Sequence, residues 1–217
     1  MGLPEVAGAV VFDCDGLLVD TESGWSRAES AIFAEHGFGF GAEQKALLIG
    51  KTLEDGAAAM AAYFGRPDDA AAIAGRLHEL VARELAAGAD ALPGARELVA
   101  AVRERVPVAV ASNSPREFVD AALASAGLEF GEVLAAEDVA RPKPAPDLYR
   151  AASARLGVPP ERCVAFEDSR TGVASARAAG MFVVGVPSLA GIALDVDAVF
   201  GSLADPALVE WASRVRS

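Results

Sequence analysis

The sequence feature that most limits the possible fold is a short apolar segment that ends in two carboxylates and a glycine. Val6 to Phe12 contains no polar side chain, and Asp13, Asp15 and Gly16 follow it directly. A short segment of this kind is typical of a strand buried on both faces of a parallel sheet. Ligands bind at the carboxyl ends of such strands, so the aspartates are candidate ligand-binding residues. The alternative is a simple turn, because Asp and Gly are common turn residues.

Composition and charge exclude several classes of protein. The chain has 217 residues, of which 53% are hydrophobic, and a formal net charge of -12. This charge argues against nucleic acid or an anionic membrane as a partner, and no apolar segment reaches the roughly 20 residues that span a bilayer. The N-terminal segment lacks the features of a signal peptide. Cys14 and Cys163 indicate neither a disulfide framework nor a structural zinc site, so we expect a cytoplasmic protein.

The segment after the first predicted strand has a helical pattern. Helices are predicted over residues 22–36, 43–49, 52–64 and 67–87. This segment contains no convincing strand, and alanine is abundant in it. We therefore predict a helical cap over residues 20–89, inserted into a core formed by residues 1–19 and 90–217.

The pattern changes to alternating helices and strands after Pro93-Gly94. Strands are predicted over residues 108–111, 133–134, 163–166 and 182–185, and helices over residues 95–105, 115–126, 146–156 and 170–179. Such alternation indicates an α/β fold in which a parallel sheet has helices on both faces.

Polar side chains follow four of the predicted strands. They are Asp13 and Asp15, then Ser112 to Ser114, then the loop Arg141 to Asp147 with Lys143, and finally Glu167 to Ser169. If the strands are parallel neighbours, all four clusters lie at one edge of the sheet. Each cluster taken alone could cap a helix or form a solvated loop. Their occurrence at successive strand ends favours a shared site.

These residue types together suit phosphoryl transfer. Asp13, Asp15 and Asp168 offer the oxygen ligands that Mg²⁺ prefers, and Lys143 can balance the charge of a phosphoryl group. The N–H groups of the helix that follows Ser112 can bind another phosphate oxygen. One carboxylate can attack phosphorus while a second exchanges a proton with the leaving oxygen and then with water.

The motifs resemble those of the haloacid dehalogenase-like hydrolase superfamily. The four motifs correspond to Asp13-Cys14-Asp15-Gly16, Ser112, Lys143 and Glu167-Asp168. Three segments resemble the branch that contains β-phosphoglucomutase and small sugar-phosphate phosphatases. They are Leu17 to Glu22, Lys143 to Asp147 and Phe166 to Ser169. The resemblance extends from about Val6 to Gly185, nearly the whole chain.

This resemblance implies a Rossmann-like core, a mobile helical cap and Mg²⁺ as cofactor. It implies Asp13 as the nucleophile and Asp15 as the general acid and base, with Lys143 assisting catalysis. The implied metal ligands are Asp13, the backbone carbonyl of Asp15, and Asp168, with Glu167 supporting the metal site. The implied phosphate-binding positions are Gly16, Leu17, Ser112, Asn113 and Lys143.

Two departures from the mutase pattern favour a phosphatase. β-Phosphoglucomutases carry an arginine where this chain has Leu53 and a histidine where it has Trp25. That arginine holds the second phosphate of the mutase substrate. We therefore predict magnesium-dependent hydrolysis of a small phosphomonoester, a sugar phosphate, with a β-phosphoglucomutase-type mutase as the alternative. Lys51 is either a substrate contact or an exposed lysine at the start of a helix.

Other activities fit the sequence less well. Gly50-Lys51-Thr52 resembles the end of a P-loop, but Lys45 occupies the position of the first glycine and no strand precedes it. Dehalogenases of the superfamily lack the second aspartate, which this chain has as Asp15. A non-catalytic binding protein is expected to have lost the nucleophile or the lysine, and both are present.

A few expectations concern the periphery of the site. Arg141 and Asn113 are either substrate contacts or residues that fix their loops, whereas His36 and His78 are predicted to be surface or packing residues. The expected partner is a small phosphorylated metabolite, and the expected assembly is a monomer or a weak homo-oligomer.

Overall fold

The computed structural model describes residues 2–188 and 193–217, which form a parallel sheet and surrounding helices. The strands are β1 (Ala9–Phe12), β2 (Val108–Ala111), β3 (Glu132–Leu134), β4 (Cys163–Glu167), β5 (Phe182–Gly185) and β6 (Ala198–Val199). Their order in the sheet is β3-β2-β1-β4-β5-β6, and every pair of neighbours is parallel. The predicted α/β class is confirmed.

Four helices follow β1 within residues 20–89. They are α1 (Glu22–Glu35), α2 (Ala42–Leu48), α3 (Leu53–Tyr63) and α4 (Ala70–Ala86). The remaining helices are α5 (Ala95–Arg103), α6 (Arg116–Ser125), α7 (Asp147–Arg155), α8 (Arg170–Ala179) and α9 (Pro206–Arg214). The boundaries of a cap and a core at residues 20 and 89 stay a prediction.

The alternating side chains of β1 build two separate hydrophobic layers. Val10 and Phe12 face a core formed with α5, α6 and α9, whereas Ala9 and Val11 face a core formed with α7 and α8. Successive side chains of a strand point to opposite faces, so a strand covered by helices on both sides must be apolar throughout. All four residues of β1 are fully buried.

The sheet order puts the end of β1 between two of the polar clusters. β1 pairs with β2 on one side and with β4 on the other, and the backbone N–H of Asp13 donates to the carbonyl of Phe166 at 3.0 Å. The carboxyl ends of β2, β1 and β4 therefore lie side by side. This topology brings together chain segments that are far apart in sequence.

The structure differs from the sequence prediction at the start of β1. The strand was expected to begin at Val6, but Val6 is 53% exposed and pairs with Arg216 in an isolated bridge. The N–H of Gly8 donates to the carbonyl of Arg162 at 2.7 Å instead of entering the ladder. Hydrophobicity alone does not indicate that Val6 and Gly8 pair with Arg216 and Arg162 and so do not belong to β1.

No helix among the described residues is long and apolar enough to span a membrane.

Candidate active site

Lys143 forms a buried ion-pair network at the edge of the sheet. Its Nζ lies 2.6 Å from Asp13 Oδ1 and 2.5 Å from Glu167 Oε1, and the hydroxyl of Tyr149 donates to the same Glu167 oxygen at 2.6 Å. Burial disfavours the ammonium form, but the two carboxylates outweigh burial and raise the pKa of Lys143 above its ordinary value. Lys143 is therefore a cation fixed directly beside the predicted nucleophile.

Three carboxylates of this region could hold a metal ion. Oxygen atoms of Asp13, Glu167 and Asp168 lie within 4.8 Å of one another, and all three residues are buried. Burial raises the pKa of Asp13 to about 8, although Lys143 acts in the opposite direction. Burial, with the nearby charge of Asp13, also raises the pKa of Asp168. Three buried carboxylates exceed the charge of one ammonium, so this donor set fits a divalent cation such as Mg²⁺.

Asp15 is held by hydroxyl groups on both of its oxygens. Thr21 donates to Oδ1 at 2.7 Å, and Ser112 and Ser114 donate to Oδ2 at 2.9 and 2.8 Å. Ser112 also accepts a bond from the N–H of Ser114 at 3.0 Å. These bonds orient the carboxyl of Asp15 toward the site. The Ser112 hydroxyl donates to Asp15, and its expected contact with phosphate stays a prediction.

Asn113 joins the loop after β2 to the loop that carries Lys143. Its side-chain oxygen accepts from the N–H of Lys143 at 2.8 Å, and its side-chain nitrogen donates to the Lys143 carbonyl at 2.9 Å. The same nitrogen donates to the carbonyl of Gly50 at 3.0 Å. The amide therefore fixes the backbone of the lysine and reaches the helical segment. A contact of its side chain with phosphate stays a prediction.

Two glycines allow the backbone to approach the carboxylates closely. Gly16 has φ +76°, and a Cβ there would lie 2.6 Å from Asp168 Oδ2. Gly172 lies in the first turn of α8, and a Cβ there would overlap with the carboxylate of Glu167. Leu17 is buried in the hydrophobic core, so it could bind phosphate only through its backbone.

Residues of the helical segment form the other wall of a cleft. We define the cleft by Asp13, Asp15 and Lys143 on the sheet side and by Trp25, Lys45 and Lys51 on the helical side. It contains about 620 Å³ of space, including its open mouth. Leu53 is buried among the helices. Lys51 is exposed and also lines the cleft, so both interpretations of this residue stay predictions.

A largely buried charged triad in this wall was not predicted from the sequence. Lys45 Nζ lies 2.8 Å from Glu22 Oε2 and 2.9 Å from Glu29 Oε2, and all three residues line the cleft. Burial raises the pKa of Glu29 to about 7 in spite of Lys45. The sequence signal that could have revealed this triad is Glu29. It is an acidic residue on the side of α1 that carries the buried residues Ala28 and Ile32.

The remaining candidates lie away from the cleft-lining residues. Arg141 Nη2 lies 2.9 Å from Asp147 Oδ1 and is exposed, so it fixes its own loop. His36 stacks on Phe64 with ring centroids 4.4 Å apart. His78 lies 2.7 Å from Glu117 on α6.

Comparison with known proteins gives matches over most of the chain. The family of haloacid dehalogenase-like hydrolases matches residues 7–180. Protein CbbY of Rhodobacter capsulatus is 38% identical over 196 residues, which cover 83% of this chain and 85% of that protein. Fructose-1-phosphate phosphatase YqaB of Escherichia coli is 34% identical over 179 residues, covering 82% and 95% of the two chains.

A solved structure extends the comparison to the fold. An Asp-to-Asn variant of CbbY from Rhodobacter sphaeroides, in complex with xylulose-(1,5)bisphosphate, superimposes with a TM-score of 0.79 at 29% identity. The match covers 92% of this chain and 96% of the other. The chain therefore belongs to the haloacid dehalogenase-like hydrolases, and the resemblance seen in its motifs is confirmed.

Proposed function

We propose that this hydrolase is a magnesium-dependent phosphatase that acts on a small phosphomonoester, a sugar phosphate, through an aspartyl phosphate on Asp13. The proposal rests mainly on one observation, the contact of Lys143 Nζ with Asp13 Oδ1 at 2.6 Å beside Glu167 and Asp168. A carboxylate at a strand end, paired with a fixed ammonium, suits attack on an anionic phosphoryl group. The similarity to a fructose-1-phosphate phosphatase supports this reaction class.

In the first step, an Asp13 oxygen forms a bond to phosphorus while the bond between phosphorus and the ester oxygen breaks. Asp15 gives its proton to the departing oxygen, so the alcohol leaves in its neutral form. The hydroxyls of Thr21, Ser112 and Ser114 hold the Asp15 carboxyl in one orientation for this transfer. Lys143 stabilises negative charge on the phosphoryl oxygens.

In the second step, Asp15 takes a proton from a water molecule as the water oxygen bonds to phosphorus. The bond between phosphorus and Asp13 breaks, which releases inorganic phosphate and regenerates both carboxyl groups in their starting protonation states. One residue thus serves as acid and then as base, as microscopic reversibility requires for two similar transfers.

Mg²⁺ would be held by Asp13 and Asp168, with Glu167 beside them and the backbone carbonyl of Asp15 as the further ligand expected from the family resemblance. When bound, the ion balances charge on the phosphoryl oxygens. Glu167 also anchors Lys143 through its 2.5 Å contact. The Glu167 carboxylate therefore both orients the ammonium of Lys143 and contributes to the metal site.

Hydrolysis is favoured over phosphoryl transfer between two positions of one sugar. The arginine that holds the second phosphate in β-phosphoglucomutases corresponds to Leu53 here, and Leu53 is 5% exposed among the helices. An apolar buried side chain cannot bind a phosphate. The cleft therefore lacks the group that retains a bisphosphorylated intermediate at this position.

The test is phosphate release from a panel of sugar monophosphates with and without Mg²⁺. Asp13→Asn should abolish release, because the amide is a poor nucleophile, and chelation of the metal should do the same. Asp68→Asn is the matched control, since Asp68 is an exposed acid on the helical segment. Undiminished release by Asp13→Asn would contradict the aspartyl-phosphate route. Conversion of β-glucose 1-phosphate to glucose 6-phosphate without phosphate release would instead indicate the mutase.

A further inference from the structure

The triad of Glu22, Glu29 and Lys45 lies in the wall of the cleft that faces the candidate catalytic residues. The side chains of Glu29 and Lys45 are 6% and 9% exposed, and Glu22 is 21% exposed. The proposed chemistry uses none of them. Their position on the helical side places them where the organic part of a bound phosphomonoester would lie.

The ammonium of Lys45 is already committed to carboxylates. It donates to Glu29 Oε2 at 2.9 Å and lies 2.8 Å from Glu22 Oε2. The Glu22 oxygen is buried without a well-directed hydrogen bond. The acceptors left for a ligand are the Oε1 atoms of Glu22 and Glu29, which form no hydrogen bond with Lys45.

The charge of the triad opposes binding of a second phosphate. Above the pKa of Glu29, about 7, two carboxylates and one ammonium leave one net negative charge, in a wall that also contains apolar residues such as Met60 and Leu77. Carboxylates accept bonds from hydroxyl groups but repel phosphate oxygens. Buried ion pairs contribute little net stability, so stability alone is a weak explanation for this triad.

We propose that Glu22, Glu29 and Lys45 bind hydroxyl groups of the substrate and select a polyhydroxylated monophosphate against a bisphosphate. This inference rests on the proposed function, because it takes the cleft as the site of a phosphomonoester. Glu22 and Glu29 accept hydrogen bonds from the hydroxyl groups, and Lys45 holds both carboxylates in place.

The experiment measures binding with calorimetry in the Asp13→Asn background, so that turnover is suppressed. The probes are fructose 6-phosphate, fructose 1,6-bisphosphate and inorganic phosphate, each with Mg²⁺. We expect fructose 6-phosphate to bind at least about tenfold more tightly than the bisphosphate, because one hydrogen bond to a charged group is worth about tenfold to a hundredfold in affinity.

Two substitutions of Glu29 separate recognition from folding. Glu29→Ala should lower the ratio of fructose 6-phosphate affinity to inorganic phosphate affinity about tenfold or more, since it removes the acceptor. Glu29→Gln should restore most of that ratio, because an amide oxygen still accepts, yet it should weaken discrimination against the bisphosphate by removing a charge. The matched control is Glu35→Ala, because Glu35 is ion-paired with Arg76 at the exposed end of the same helix.

Equal weakening of all three probes in both Glu29 variants would overturn the inference, and so would tighter binding of the bisphosphate by the parent protein. If the wild-type enzyme hydrolyses sugar monophosphates but these ratios do not change, the triad is structural and the proposed function stands. If the ratios change as expected but no ester is hydrolysed, the proposed reaction fails and the recognition site stands.

Discussion

At the scale of single residues, steric access to the carboxylates is as important as their chemistry. Glu167 is fully buried and contacts Lys143, Tyr149 and Ser169. The first turn of α8 packs directly over its carboxylate at Gly172, where any side chain would overlap with it. A glycine is therefore required by the packing of Glu167.

Gly172→Ala should displace Glu167 and, through it, Lys143. A displacement near 1 Å at a catalytic group can cost about a hundredfold in rate, and overpacking should also lower the free energy of unfolding by about 1–3 kcal/mol. Steady-state kinetics and thermal unfolding measure the two effects. Wild-type kcat in a folded Gly172→Ala variant would show that Glu167 does not need its observed position.

Glu29 gives stability a defined pH dependence. Its pKa rises from 4.5 to about 7 on folding, mainly through burial, so the unfolded chain releases this proton at lower pH than the folded protein does. The unfolded state then binds fewer protons, and stability falls as pH rises from about 4.5 to about 7. The contribution is fully present below this window and corresponds to about 3 kcal/mol.

Glu29→Gln removes that titration. Denaturant unfolding between pH 4.5 and pH 8 should therefore show a smaller loss of stability with rising pH in the variant than in the wild-type protein. Other buried acids titrate in both proteins and cancel in the difference. Identical pH profiles would mean that Glu29 ionises in the folded protein as it does in the unfolded chain.

At the scale of elements, α4 is stabilised by one apolar face. In α4 the buried residues are Ile73, Leu77, Val81 and Leu85, at the spacing of an amphipathic helix. Gly75 lies on the exposed side of this helix, and a Cβ there would meet no atom within 4 Å. This glycine is therefore not required by packing.

Gly75→Ala should raise the free energy of unfolding by about 0.5–1 kcal/mol, because alanine loses less backbone entropy in a helix. The melting temperature measures this effect, and kinetic constants should remain unchanged. The substitution is also the matched control for Gly172→Ala, since both add one methyl group to a helical glycine. A destabilised Gly75→Ala variant would mean that α4 needs its glycine for another reason.

At the scale of the whole molecule, contacts between distant segments connect helices α1 to α4 to the sheet and the helices that cover it. Trp25 packs edge-on against Phe118 of α6 with centroids 6.0 Å apart, and Asn113 bridges Gly50 and Lys143. Asn113 thus connects the helical wall of the cleft to the loop of Lys143. It is a positioning residue for Lys143.

Asn113→Ala should lower kcat about tenfold or more, because the buried N–H and carbonyl of Lys143 lose a partner and the lysine is less well positioned. The matched control is Ser125→Ala, which removes the hydrogen bonds of Ser125 with Ala89 and leaves the Lys143 loop intact. Asn113→Asp would restore the acceptor but not the donor, so intermediate activity is expected. Equal activity of both alanine variants would contradict this role.

Much of the fold follows from local pattern. Short apolar segments such as Val108–Ala111 carried enough information to predict strands, because both faces of a covered parallel strand must be apolar. Neither β6 nor α9 was predicted from the sequence. A strand of two residues is too short to show a periodicity, and the apolar residues of α9 were recognised as a buried face only from their packing. The start of β1 at Ala9 and not at Val6 depends on the tertiary contacts of Val6 with Arg216 and of Gly8 with Arg162.

The sequence by itself determined which residue types follow each strand, and so predicted the carboxylates, the lysine and the serine of the site. Only the tertiary structure decided which atoms meet. Ser112 donates to Asp15, and Lys45 pairs with Glu22 and Glu29. The physical reason is that residue type is a local property, whereas hydrogen bonds and ion pairs depend on how separate elements pack, down to distances near 3 Å.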